Sequence, residues 1–195
     1  MRKPGFSVEI MGERLELETQ PGLFSPEHAD RGTLAMLSCA HFEPGAHVMD
    51  LGCGCGIVGI LAAKKCGEAS VVMADIDPVA VETAKSNAAR NGVPGVEIAL
   101  SDGFKQVDAT GFDLILSNPP YQSDFSVARG FIEKGFNRLK PGGTLLMVTK
   151  RREWYRNKFV AVFGGVKIHE IDGYYVFEAQ RRSARYANAK PRPQP

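Results

Sequence analysis

The stretch Val48-Met49-Asp50-Leu51-Gly52-Cys53-Gly54-Cys55-Gly56 joins a short apolar run to three alternate glycines, and a helix-like apolar segment opens at Ile57. Glycine is needed where the backbone takes a positive φ and where a ligand must approach without meeting a Cβ. The helix that follows would offer its free N–H groups to a negative ligand group. Strand, glycine turn and helix N-terminus together predict a ligand-binding loop in an α/β domain. Gly54, Gly56 and Gly59, with Asp75 roughly 20 residues on, also satisfy the dinucleotide fingerprint G-x-G-x-x-G. That nicotinamide reading leaves Asp50 and Gly52 without a role.

Outward from this loop, the chain repeats the same unit. Apolar runs at Ala46–Leu51, Ser70–Ala74, Val96–Leu100, Phe112–Ser117 and Thr144–Thr149 alternate with helical stretches at about 57–66, 78–91, 126–139 and 151–163. Such alternation predicts a parallel sheet covered on both faces. Toward the N-terminus, residues 6–19 alternate apolar and polar around Gly12 and read as a β-hairpin, followed by a helix from about Pro26 to His41. Toward the C-terminus, Asp172-Gly173 separates two strand-like runs and predicts an antiparallel hairpin. Residues 1–180 therefore read as one domain, and residues 181–195, rich in Arg, Ala and Pro, as a loose basic tail.

The 195 residues suit one α/β domain, and 44% hydrophobic with 24% charged residues excludes a disordered or fibrous chain. No apolar run is long enough to span a membrane, and the N-terminus lacks the apolar middle of a secretory signal, so a cytoplasmic protein is expected. Cys39, Cys53, Cys55 and Cys66 have no zinc-ribbon or disulfide-framework spacing, and no metal site is expected. The formal charge of +2 conceals a division: residues 1–149 carry 13 basic and 18 acidic side chains, residues 150–195 carry 11 and 4. A basic end suits an anionic partner, and equally a solvated tail.

The glycine loop resembles the signature of class I S-adenosylmethionine-dependent methyltransferases, an acidic residue followed by Gly-x-Gly-x-Gly, here Asp50, Gly52, Gly54 and Gly56. The resemblance implies a Rossmann-like fold: a seven-stranded, mostly parallel sheet with an antiparallel C-terminal strand. It also implies a cofactor, S-adenosyl-L-methionine, with Asp75 after the second core strand at the ribose, Ile76 among the cofactor-binding residues and Asp102-Gly103 at the adenine. Asp75 would accept from both ribose hydroxyls. A carboxylate suits two neighbouring hydroxyls because each oxygen can accept from one. Asp77 reads as the N-cap of the next helix, and Asp102 has a turn reading beside its cofactor one.

Ser117-Asn118-Pro119-Pro120-Tyr121 follows the fourth core strand. Two prolines fix the backbone there, and Pro119 keeps Asn118 out of helical angles. A plain reading is a rigid strand-ending turn with an exposed tyrosine. Within the methyltransferases, Asn-Pro-Pro-Tyr at this place resembles enzymes that methylate a planar amino nitrogen in a nucleobase or a glutamine side chain. The Asn118 side-chain oxygen and the Pro119 carbonyl would accept the two N–H groups and aim the lone pair, while Tyr121 would stack on a flipped base. Over residues 6–180 the chain is similar to the small-domain methyltransferases, including the catalytic half of ribosomal RNA guanine-N2 methyltransferases. That likeness implies Phe24 and Ser25 over the methionine end of the cofactor and Asp30 to Thr33 shaping the pocket. The expectation is therefore N-methylation of a base in structured or ribosomal RNA. Protein N5-glutamine methylation and a non-catalytic S-adenosylmethionine-binding module are the alternatives. Lys150, Arg151 and Arg152, with Trp154, would hold the RNA, and the basic tail would extend that surface.

Overall fold

The computed structural model describes residues 5–20, 22, 28–120 and 125–188. The N-terminal hairpin pairs β1 (Gly5–Ile10) with β2 (Glu13–Glu18). Its turn residues Met11 and Gly12 both take positive φ, 52° and 77°, the conformation whose twist matches a two-residue hairpin. The helix expected from Pro26 to His41 is shorter, α1 (Arg31–Ser38), because the Asp30 side chain caps it by accepting from Thr33 N; Pro26 lies outside the described residues.

The remaining elements are β3 (Val48–Leu51), α2 (Ile57–Cys66), β4 (Val71–Asp75), α3 (Pro78–Arg90), β5 (Glu97–Leu100), β6 (Phe112–Ser117), α4 (Ser126–Arg138), β7 (Leu139–Thr149), α5 (Glu153–Phe163), β8 (Lys167–Ile171) and β9 (Tyr174–Gln180), with a single turn of tight helix at Glu68–Ser70. The large sheet has seven strands in the order β5-β4-β3-β6-β7-β9-β8. Neighbours are parallel up to β7, and β9 runs antiparallel to both β7 and β8. This is the class I methyltransferase arrangement expected from the sequence. The Asp172-Gly173 turn has φ of 51° and 77°, the same hairpin geometry as the N-terminal one.

The core lies in two layers because strand side chains alternate across the sheet and both faces are covered. Val48, Val71, Met73, Leu116 and Val148 point to the layer that holds α1, α2, α3 and the hairpin. Met49, Val72, Ile115 and Met147 point to the layer beneath α4 and α5. Gly59 lets α2 settle onto β4: a Cβ there would sit 2.4 Å from Met73 Cγ. The last glycine of the dinucleotide fingerprint thus serves helix–sheet packing, the role it has in that fingerprint also.

Two expectations change. The fifth core strand starts at Leu139, five residues before Thr144, because Gly142 and Gly143 exchange backbone hydrogen bonds with Arg181, both 2.8 Å. For the same reason the chain after Gln180 is not loose as far as residue 188. Ala187 N and Asn188 N donate to the Val162 and Ala161 carbonyls, and the Tyr186 hydroxyl donates to the Glu133 carbonyl. Tyr186 also sets its ring edge-on to Phe136, centroids 5.1 Å apart.

Candidate active site

The carboxyl ends of β3, β4, β5 and β6 open on one cavity of about 360 Å³. It lies where the chain order reverses, between β3 and β6, the place where open α/β sheets hold ligands. Gly52, Gly54 and Gly56 all have positive φ, 78°, 54° and 93°, so the loop after β3 can fold back on itself. Asp75, at the end of β4, clamps it: one carboxylate oxygen accepts from Gly54 N at 2.8 Å and the other from Asp77 N at 3.0 Å. Asp50 is buried and accepts from Gly59 N at 2.8 Å in the first turn of α2. Burial pushes its carboxyl up to about 7, against the Gly59 N–H and with help from the Asp75 charge.

Asp50, Gly52, Gly54, Asp75, Ile76, Asp102, Gly103, Asn118 and Pro119 all line the cavity. Gly56 does not. It caps α2 with its α-carbon toward the core, where a Cβ would sit 2.8 Å from Met73 Cε. Asp77 caps α3 by accepting from Val79 N at 2.8 Å, as the N-cap reading expected. Ile76 is 67% exposed, a large apolar side chain held open on the cavity wall. Asp102 is exposed and ion-paired to Lys105, whose hydrogen bond and charge lower its carboxyl below the usual range. Phe24, Ser25 and Tyr121 lie outside the described residues.

Asn118 is placed from both sides. Before it, the Ser117 hydroxyl donates to the Leu51 carbonyl at 2.7 Å and ties the ends of β6 and β3 together. Its side-chain Nδ2 donates to Asp30 Oδ2 at 2.9 Å and to Thr33 Oγ1 at 3.0 Å, at the cap of α1. Val127 and Phe131, one helical turn apart on α4, form a wall that the sequence pattern shows only as helix. Phe131 leans on Gly103, 3.3 Å from where a Cβ would be. Apolar residues at helical spacing signal a buried face, and nothing in that spacing separates core from cavity. Phe6 of β1 also reaches the cavity.

Lys150, Arg151 and Arg152 are exposed beyond the end of β7 and do not line the cavity. Lys150 Nζ lies 4.9 Å from the Tyr174 ring centre, and the Arg151 guanidinium carbon 5.0 Å from that of Phe125. Trp154 stacks on Phe125, centroids 4.3 Å apart at 14°, so that ring face is already taken. Of the neighbouring pair Trp154 and Tyr155, Tyr155 is the buried one. Among the described residues no cluster of His, Cys, Asp and Glu is arranged to hold a metal ion, and no helix is long and apolar enough to cross a membrane.

A family model described as "Methyltransferase small domain" matches residues 14–178. The chain belongs to the small-domain methyltransferases. Among similar proteins, ribosomal RNA small subunit methyltransferase C of Hahella chejuensis is 34% identical over 174 residues, covering 87% of this chain and 50% of that protein. The protein of the same name from Pseudomonas putida strain F1 is 30% identical over 188 residues, covering 89% and 56%. The solved structure of a T. thermophilus 16S rRNA N2 methyltransferase in complex with AdoMet and guanosine superposes with a TM-score of 0.84 at 26% identity, over 91% of this chain and 50% of that one. This small-domain methyltransferase spans about half the length of the curated relatives it matches.

Proposed function

We propose that the chain transfers a methyl group from S-adenosyl-L-methionine to the exocyclic amino nitrogen of a base in RNA, with guanine N2 of ribosomal RNA as the target. The observation that carries this reading is the convergence of Asn118-Pro119, from the end of β6, and the Asp75-clamped glycine loop on one cavity. The cavity suits the cofactor by its acceptors and its apolar walls. Asp75 and Asp102 line it with carboxylate oxygens, which can accept from hydroxyl and amino groups beside the partners they already hold, Ile76 and Phe131 offer apolar faces for a flat ring, and the loop has no Cβ at Gly52 or Gly54 to block an approaching ligand. S-adenosylmethionine supplies an electrophilic methyl on a sulfonium.

The protein's part is orientation. An amino nitrogen conjugated to a ring is a poor nucleophile until its lone pair is aimed. The Asn118 side-chain oxygen and the Pro119 carbonyl take its two N–H groups, and they stabilise the positive charge that grows on nitrogen during transfer. Base-paired RNA hides such a nitrogen, so the base must be in a loop or swung out of its stack. Exposed Lys150, Arg151 and Arg152, at the cavity end of β7, supply charge for the surrounding phosphates. The names of the similar proteins favour ribosomal RNA over a protein substrate.

The test is to incubate the protein with radiolabelled S-adenosylmethionine and ribosomal subunits from a strain lacking it, then to identify the labelled nucleoside by mass spectrometry. N2-methylguanosine is expected. Label on a glutamine of a ribosomal protein, with none in RNA, overturns the substrate assignment, and no label anywhere overturns catalysis.

A further inference from the structure

We infer that Asp30 and Thr33 are positioning residues that fix which way round the Asn118 amide sits, its nitrogen on the cap of α1 and its oxygen turned away from it. The inference rests on the catalytic reading of Asn118 above. An asparagine amide offers a donor at one end and an acceptor at the other, and the two ends differ little in shape. Rotated by half a turn, Asn118 would meet an incoming amino group donor to donor. Pro119 restrains the main chain there and does not by itself forbid that rotation.

The cap of α1 prevents it. Both Nδ2 hydrogens have acceptors, Asp30 Oδ2 at 2.9 Å and Thr33 Oγ1 at 3.0 Å, from residues far away in the chain. A rotated amide would set its oxygen against the Asp30 carboxylate, which has no hydrogen to give. Asp30 is itself fixed, since the same oxygen accepts from Thr33 N at 2.8 Å, and Thr33 is buried. A charged acceptor on the nitrogen has a second effect. It draws the amide toward the form with more negative charge on Oδ1, which makes that oxygen the stronger acceptor, as in other hydrogen-bond chains that polarise one another. Asp30 and Thr33 thus act on the reaction through Asn118, and they bias the site toward a substrate atom that carries N–H and against a carbonyl oxygen.

The test compares Thr33→Val, Thr33→Ser, Asp30→Asn and Asn118→Ala for turnover, KM for RNA and S-adenosylmethionine affinity. Thr33→Val keeps the shape and the backbone N–H that caps α1 but loses the hydroxyl acceptor. Its kcat should fall about tenfold, the worth of one hydrogen bond, with KM and cofactor affinity near the parent's. Thr33→Ser should restore turnover. Asp30→Asn keeps a cap acceptor and removes the charge, and kcat should fall by roughly tenfold to a hundredfold, as for a charge-assisted bond. Thr33→Val added to Asn118→Ala should cost nothing more, because the amide it orients is gone. Should Asn118→Ala abolish turnover while Thr33→Val and Asp30→Asn keep it, the positioning role is wrong and Asn118 acts without it. The same conclusion follows if Thr33→Val costs as much in the Asn118→Ala background as alone. Should Asn118→Ala itself keep turnover, the catalytic reading of Asn118 falls first. Melting curves accompany each variant, and if Asp30→Asn does not fold, the Thr33 pair and the double variant decide.

Discussion

Asp50 accepts the Gly59 N–H at 2.8 Å in a place without solvent, and its carboxyl is pushed from 3.8 up to about 7. A folded-state value above the unfolded one means that the native state favours the proton. The contribution is full below pH 4, drains away as pH rises through 7, and amounts to on the order of 4 kcal/mol for a shift of this size. Asp50→Asn keeps an acceptor for Gly59 and has no charge to lose. The difference in unfolding free energy between parent and variant, measured in urea from pH 4 to 8, should therefore move against the parent across that window; a flat difference would mean that Asp50 titrates normally. Asp75 behaves otherwise, for it spends each carboxylate oxygen on a backbone N–H of the loops that border the cavity. Asp75→Ala removes those bonds together with the proposed contact to the ribose. S-adenosylmethionine affinity, read by calorimetry, should fall at least tenfold, since each charge-assisted bond is worth about 1.5 to 3 kcal/mol. An unchanged affinity would remove Asp75 from the cofactor site.

Between elements, the hairpin and the glycine loop are joined through α3. Asn91 pairs its amide with the Glu16 backbone, donating to O at 2.9 Å and accepting from N at 3.0 Å. Asn87, one turn earlier and fully buried, does the same with Glu18 at 2.8 Å each way, and its Nδ2 also donates to the Cys55 carbonyl at 2.8 Å. One helical turn spans nearly the same distance as two strand residues, so the two amides meet alternate residues of β2 and cover its edge. Asn91→Ala should cost about 1 kcal/mol and leave cofactor binding alone, whereas Asn87→Ala should cost up to about 3 kcal/mol and also weaken S-adenosylmethionine binding. Equal cofactor affinity in the two variants would separate the loop from the hairpin. This zipper was hidden in the sequence because Asn87 and Asn91 look like ordinary polar positions on a helix; only the tertiary partner gives them a role. The boundaries of α2, α3, α4 and α5 were legible because apolar periodicity and the proline at Pro78 are local signals. The early start of β7 was not, because Lys140-Pro141-Gly142-Gly143 reads as a turn until Arg181 comes alongside to pair with it.

At the scale of the whole molecule, the sequence disclosed that basic charge gathers after Thr149 but not that the fold divides it between two ends. Lys150, Arg151 and Arg152 follow the end of β7 that faces the cavity. β9 returns the chain to the start of β7, so Arg181 pairs with Gly142 and Gly143, and the following residues reach the last turn of α5. Exposed Arg182 and Arg185 therefore lie at the opposite end of the sheet from Asn118, although along the sequence they prolong one basic stretch. If RNA is held around a base inserted at the cavity, its phosphates meet the first group and not the second. Neutralising Lys150, Arg151 and Arg152 together should weaken RNA binding and flatten the dependence of log affinity on log salt by about 0.7 to 0.9 for each phosphate no longer held. S-adenosylmethionine binding should stay near the parent's, because none of the three lines the cavity. Arg182→Ala with Arg185→Ala removes two charges from the other end and should leave the slope as it was. Affinities measured from about 50 to 200 mM salt resolve slopes of this size. A flattened slope in the Arg182 and Arg185 variant, with none in the triple variant, would place the RNA at the far end of the sheet and take the bound base away from Asn118.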